Sequence, residues 1–180
     1  MTESAEALSY VAPYRPAGAF ARVYAGVAAT RPAKFISRHI SWKLDPLLLR
    51  LSRGRLATTI VFPTALLETT GARSGAKRRH AIIYFHDDDR VTIVASNAGA
   101  AHHPSWYFNL LAHPDVTFGG IPMRASCVEE LAERERLWVL AYRVFPAFPN
   151  YREDAAEAGR TIPIVQLIDE PSATRGHASG

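Results

Sequence analysis

The feature that most constrains this chain is a glycine-bearing, basic turn set between two apolar runs. Ala65-Leu66-Leu67 leads into Thr69-Thr70-Gly71-Ala72-Arg73-Ser74-Gly75-Ala76-Lys77-Arg78-Arg79, and Ala81-Ile82-Ile83-Tyr84-Phe85 leads out of it. Short apolar runs on either side of glycines and small polar residues predict a β-hairpin, because glycine supplies backbone angles that a side chain forbids. Four basic side chains and the Ser74 hydroxyl crowd the bend. Exposed backbone N–H groups, a hydroxyl and guanidinium forks together make a concave anion site. The alternative for such a turn is a solvated, charged hairpin tip.

The hairpin sits within a longer series of strand signals. Thr64–Thr70, Arg79–His86 and Arg90–Ser96 alternate or run apolar and are rich in threonine, isoleucine and valine. Val116–Phe118 and Met123–Val128 form a second hairpin around Gly119-Gly120, and Ile162–Ile168 is the final strand. A short helix is predicted from Pro104 to about Ala112, and an amphipathic one from Glu129 to Val144 with Leu131, Leu137, Trp138, Leu140 and Ala141 facing inward. The small residues Ala98 to Ala101 make a loop that a flat ligand can approach closely. Phe145-Pro146-Ala147-Phe148-Pro149-Asn150-Tyr151 reads as an aromatic loop, either packed in the core or walling a pocket. Strands joined mostly as hairpins with helices between them imply an α+β fold, an antiparallel sheet curled into a small barrel. The basic turn, the small-residue loop and the helix at Pro104 then line one groove, suited to a long, flat, anionic ligand.

The ends of the chain differ from this core. Residues 1–31 lack a firm period and read as a partly ordered lead-in. Residues 32–55 read as a basic amphipathic helical segment, with Lys34, Arg38, Lys43, Arg50, Arg53 and Arg55 expected opposite Phe35, Ile36, Trp42 and several leucines. Such a helix either lies on an anionic membrane surface or covers one mouth of the core. The barrel domain is assigned to 56–170, and 171–180 reads as a disordered tail.

Charge and cysteine content narrow the chemistry. The net charge of +4 admits nucleic acid, acidic membranes and polyanionic ligands as partners, but no nucleic-acid recognition motif accompanies it. The single cysteine, Cys127, rules out an intrachain disulfide and reads as a small strand residue rather than a nucleophile. His102 and His103 are adjacent and so do not share a helix face, and Asp87-Asp88-Asp89 reads as a water-facing hairpin tip; no metal site is expected from either. With no apolar stretch long enough to span a bilayer and no signal-like N-terminus, a cytoplasmic location is the simplest expectation.

The order of these motifs resembles the deazaflavin-dependent nitroreductase and quinone reductase family, which uses coenzyme F420 on a split β-barrel. The matching residues are Thr69-Thr70-Gly71, Arg73-Ser74-Gly75 and Arg78, then Ala95-Ser96-Asn97, His103-Pro104-Ser105-Trp106-Tyr107, Asn109-Leu110 and Ile162-Pro163-Ile164-Val165. The resemblance implies that Gly71, Arg73, Ser74, Gly75, Ala76, Lys77 and Arg78 meet the phosphate and carboxylate tail. It implies that Ile82 and Ile83 run under the deazaflavin, and that Ala95, Ser96, Asn97, Trp106 and Asn109 lie near its ring or tail. It also implies hydride transfer to a small-molecule acceptor such as a quinone, nitroaromatic or activated alkene. Ser96 and Tyr151 are the candidate proton donors, and Phe145, Phe148 and Tyr151 the candidate substrate pocket. Two departures stand out. Ala72 replaces a commonly basic residue, and phenylalanines occupy positions 145 and 148 where tyrosines are common. FMN fits less well than F420, since a ligand without the carboxylate tail leaves much of the basic turn unemployed. A deazaflavin-binding protein without turnover is the alternative from another class.

Overall fold

The computed structural model describes residues 8–13 and 62–169. The helical segment 32–55, the tail 171–180 and most of the 1–31 lead-in lie outside the described residues.

Six strands close into a barrel: β1 (Thr64–Thr70), β2 (Lys77–Asp87), β3 (Arg90–Val94), β4 (Asp115–Phe118), β5 (Ile121–Cys127) and β6 (Ile164–Asp169). Their order around the barrel is β1-β2-β3-β6-β5-β4, with every pairing antiparallel. The expected antiparallel split barrel with flanking helices is therefore the observed architecture. Three α-helices accompany it among the described residues: α1 (Ser105–Ala112), α2 (Leu131–Val144) and α3 (Phe148–Glu157).

The side-chain pattern of each strand follows from what covers it. β5 alternates, with Met123 and Ala125 buried inside the barrel and Pro122, Arg124 and Ser126 exposed outside. In β3 and β6 residues on both faces are buried, Thr92 and Gln166 among them, because both faces are covered. Inside the barrel, Leu67, Tyr84, Ile93, Trp106, Phe118, Met123, Val165 and Leu167 form one core. Outside, Phe85, Val94 and Ile164 pack under α2 and α3 against Leu137, Trp138, Phe145 and Phe148, forming a second.

The turns obey local chemistry. Gly119 and Gly120 join β4 to β5 with φ of 56° and 86°, the left-handed pair that a two-residue hairpin needs. Glu130 caps α2, its carboxylate accepting from the N–H groups of Ala132 at 3.0 Å and Glu133 at 2.8 Å. Residues 8–13 lie along β2: His86 N–H donates to the Val11 carbonyl at 2.8 Å, and the Tyr84 hydroxyl donates to the Ser9 carbonyl at 2.9 Å.

The structure corrects three local expectations. Leu131, read as facing inward, opens α2 exposed to water. Asp88 and Asp89 face water, but Asp87 is buried. The guanidinium of Arg136 on α2 donates to both Asp87 carboxylate oxygens, at 2.9 and 2.5 Å, so the first acid of the trio ties the helix to the barrel. The stretch 145–151 is not a loop throughout. Phe148 opens α3, with Pro149 in its first turn, a position where the missing N–H costs nothing.

Candidate active site

The site is built from three pieces: the β1–β2 turn, the loop after β3, and α1 between them and β4. In the turn, Gly71 N–H donates to the Ala76 carbonyl and Gly75 N–H to the Gly71 carbonyl, both at 2.8 Å. Gly75 has φ of 66°, and a Cβ on Gly71 would lie 2.7 Å from Ser74 Oγ. Gly75 is thus required by its left-handed backbone, while a Cβ at Gly71 would displace the Ser74 hydroxyl and lie 3.2 Å from the Ala76 carbonyl. Asn109 of α1 braces it from below. Its side-chain oxygen accepts from Ala72 N–H at 3.0 Å, and its side-chain nitrogen donates to Thr69 Oγ1 at 3.0 Å. Asn109 is buried, so its role is to hold the turn.

These bonds revise the expected anion site. The N–H groups of Gly71, Ala72 and Gly75 are spent inside the fold, and Ala76 N–H leans on Ser74 Oγ at 3.4 Å. What the turn offers outward is side-chain charge. Arg79 is paired with Glu68 at 2.6 Å and Lys77 donates to Thr70 Oγ1 at 3.2 Å. Among the described residues, the exposed Arg73 and Arg78 have no acid partner. Beneath them His80 stands opposite Leu67 on β1. Among the described residues, its buried Nε2 has no hydrogen-bond partner. Burial first, then the nearby Arg78 charge, push its pKa from 6.5 down to about 4, so the ring is neutral at physiological pH.

The loop after β3 is strained and clamped. Asn97 and Ala98 both have φ of 48°, followed by Gly99 at 73°. Left-handed backbone at a residue with a Cβ costs about 1–2 kcal/mol each. The small residues here admit α3: a Cβ on Gly99 would lie 2.8 Å from Asp154 Cβ and 3.0 Å from the Tyr151 carbonyl. Close approach is real, but on this side the approaching body is a helix. Asn97 donates from its side-chain nitrogen to the His102 carbonyl at 3.0 Å. The Ser96 hydroxyl is half-buried and makes no hydrogen bond among the described residues.

Other predicted residues are distributed differently. Ile82 faces the barrel interior opposite Ala65, whereas Ile83 faces the outer core opposite Thr64. Neighbours on a strand point to opposite faces, so the two side chains cannot both underlie one flat ring. Ala95 is buried, and Trp106 is packed in the barrel core, away from any open face. Phe145, Phe148 and Tyr151 are all buried in the outer core. Their rings pack on one another, with Phe145 and Phe148 centroids 4.9 Å apart at 75° and Phe62 edge-on to Phe145 at 4.7 Å. They form packing under α3 rather than a wall around open space. Cys127 ends β5, its thiol 3.8 Å from the Tyr107 hydroxyl and raised in pKa by burial, which suits a structural thiol. Among the described residues, no group of three or more His, Cys, Asp or Glu is placed to hold a metal ion, and no helix is long and apolar enough to cross a membrane.

Residues 47–169 match the model of the F420H(2)-dependent quinone reductase family. The chain belongs to that family. An F420H(2)-dependent quinone reductase of Mycobacterium tuberculosis (strain H37Rv) is 30% identical over 146 residues, which cover 75% of this chain and 96% of the relative. A solved F420-H2 dependent reductase is 33% identical, with a TM-score of 0.50, covering 58% of this chain and 93% of that one. A second solved relative, a domain-swapped dimer, is 29% identical with a TM-score of 0.53 over 76% of this chain and 98% of its own. At the level of the family, the expected cofactor class is F420, and the donor set fits it. F420 carries a phosphodiester and glutamyl carboxylates, and Arg73 and Arg78 are exposed cations without acid partners among the described residues. One residue the motifs did not flag is Arg160, whose buried guanidinium spans the loop after β3.

Proposed function

We propose that this protein is an F420H2-dependent reductase whose acceptor is a quinone. The observation that carries the reading is the pairing, in a member of this family, of an outward cationic turn with a rigid, strained loop that presents a hydroxyl. When bound, reduced F420 supplies the hydride; the remaining work belongs to the chain. Arg73, Lys77 and Arg78 hold the anionic tail through charge-assisted contacts. Asn109 keeps the turn in shape, and the loop at Ser96 fixes the ring end.

A hydride arriving at a quinone leaves negative charge on an oxygen, which a hydrogen bond must meet. The Ser96 hydroxyl is the donor we assign. Tyr151 is the second candidate, on a buried stretch of α3 whose backbone touches the Gly99 turn. The quinone is preferred to nitroaromatics and activated alkenes because the matching family and the curated relative are both named for it; Phe145 and Phe148, packed in the outer core, have no part in that choice. The deciding experiment titrates the purified protein with F420 and FMN separately, then follows oxidation of F420H2 by menadione. Tight F420 binding with menadione-dependent oxidation is expected. Preference for FMN, or F420 binding without turnover, defeats the proposal. Arg73→Ala and Arg78→Ala should each weaken F420 binding by about tenfold to a hundredfold. Unchanged affinity in both variants would remove the turn from the site.

A further inference from the structure

Arg160 is the one arginine or lysine that is buried among the described residues. Its backbone is fixed by the end of α3. Gly159, with φ of 73°, donates to the Ala156 carbonyl at 2.9 Å, and Arg160 N–H donates to the Ala155 carbonyl at 2.8 Å. This glycine-terminated helix end turns the chain sharply and aims the Arg160 side chain back at the barrel. There the guanidinium spans the whole loop after β3. Nε donates to the Ala100 carbonyl at 2.7 Å, Nη1 to the Ala95 carbonyl at 3.2 Å, and Nη2 to the Ser96 carbonyl at 2.6 Å. Nη1 also lies 3.2 Å from His103 Nδ1.

Two consequences follow from the chemistry of a guanidinium, which only donates. The carbonyls on both sides of the left-handed turn at Asn97–Gly99 are gripped by one planar group, so the strained backbone has a fixed frame. His103 Nδ1 must accept, which leaves the ring proton on Nε2. We propose that Arg160 is the positioning residue of this site: it holds the turn that presents the Ser96 hydroxyl and locks His103 in its Nε2–H form. The proposal rests on the functional reading above for its effect on turnover, but not for its effect on His103. Lysine cannot substitute, because one ammonium lacks the fork that reaches three carbonyls. Burial, followed by the charges of Arg160 and His102, already lowers the pKa of His103, consistent with a ring held neutral.

The test compares wild type, Arg160→Lys and Arg160→Ala. Nitrogen NMR of His103 in the protein without cofactor reports tautomer and titration. Wild type should show the Nε2–H form and a pKa below the ordinary histidine value. Arg160→Ala should show mixed tautomers and a higher pKa. With F420 and menadione, both variants should lose about a hundredfold in kcat, while the dissociation constant for F420, set mainly by the turn at 71–78, changes little. Guanidinium ion should restore part of the activity of Arg160→Ala, and ammonium should not. An unchanged His103 in Arg160→Ala, or a fully active Arg160→Lys, overturns the proposal. So does a parallel loss of fold, F420 affinity and kcat without rescue, which would mark Arg160 as a general structural residue. If wild type binds no F420, the functional reading fails, and the His103 spectra still decide the clamp.

Discussion

At the scale of single residues, the site depends on groups held in definite protonation and bonding states. His80 is neutral in the fold, with its pKa at about 4 rather than 6.5, through burial and then Arg78. The unfolded chain takes up this proton near 6.5 and the folded chain only near 4. The unfolded state therefore binds more protons throughout that window, and stability rises with pH across it. The contribution of His80 is full above about pH 6.5 and is lost as pH falls toward about 4. His80→Leu, which also removes a buried nitrogen without a partner among the described residues, should be neutral or stabilising at about pH 7. It should lose less stability than wild type between about pH 7 and about pH 4.5. Urea midpoints at the two pH values measure this, and equal losses in both proteins would show that His80 is not the titrating group. The second residue-scale prediction separates the two hydroxyls. Ser96→Ala should lower turnover with menadione by about a hundredfold, and Tyr151→Phe should lower it far less. Steady-state rates for both variants check the order, and full activity of Ser96→Ala would transfer the role to Tyr151 or to solvent.

At the scale of elements, the site is a set of contacts between pieces distant in sequence. Gly99 is where the loop after β3 meets α3. It is constrained both by its φ of 73° and by Asp154, whose Cβ would stand 2.8 Å from any Cβ added there. Gly99→Ala should destabilise the fold by about 1–3 kcal/mol through overpacking, with the left-handed backbone adding to it. Turnover should fall further than stability alone explains, because the same turn carries Ser96. Thermal unfolding alongside kcat for this variant tests the point; an unperturbed melting temperature would mean that α3 does not press on the turn. Much of the barrel is legible in the sequence. β1 runs over the predicted Thr64–Thr70, and the Gly119-Gly120 hairpin and the two helices α1 and α2 lie close to their predicted bounds. Period-two alternation, glycine turns and apolar faces are local signals, and they determine local structure. Where the reading fails, the deciding fact is not local. Phe148-Pro149 reads as loop chemistry because proline at a helix start and proline in a turn look alike. The resemblance runs Ile82 and Ile83 under the ring, and the strand turns their side chains to opposite faces, so at most one of the two side chains can lie there. Arg160 gives no local signal, since its partners are backbone carbonyls 60 to 65 residues earlier in the chain.

At the scale of the whole molecule, the chain has two separate cationic features with different proposed tasks. The turn at Arg73, Lys77 and Arg78 is part of the described barrel and is assigned to the cofactor tail. The basic face of 32–55, outside the described residues, is the sequence's candidate for an anionic membrane surface. Lipid-soluble quinones reside in membranes, so attachment there would bring the acceptor to the site. Each lysine or arginine near an anionic bilayer contributes about 1 kcal/mol, and that attraction fades within a Debye length of about 10 Å at moderate salt. The full chain should therefore sediment with vesicles containing anionic lipid at low salt and be released at high salt, while neutral vesicles leave it in solution. Replacing Lys34, Arg38, Lys43, Arg50, Arg53 and Arg55 together by glutamine should abolish sedimentation and leave F420 affinity intact. The double variant Arg73→Ala, Arg78→Ala should do the reverse. If the glutamine variant still sediments, lipid attraction comes from elsewhere on the protein. If wild type stays in the supernatant at both salts, the segment 32–55 has no part in membrane attachment, and the quinone must reach the barrel through water.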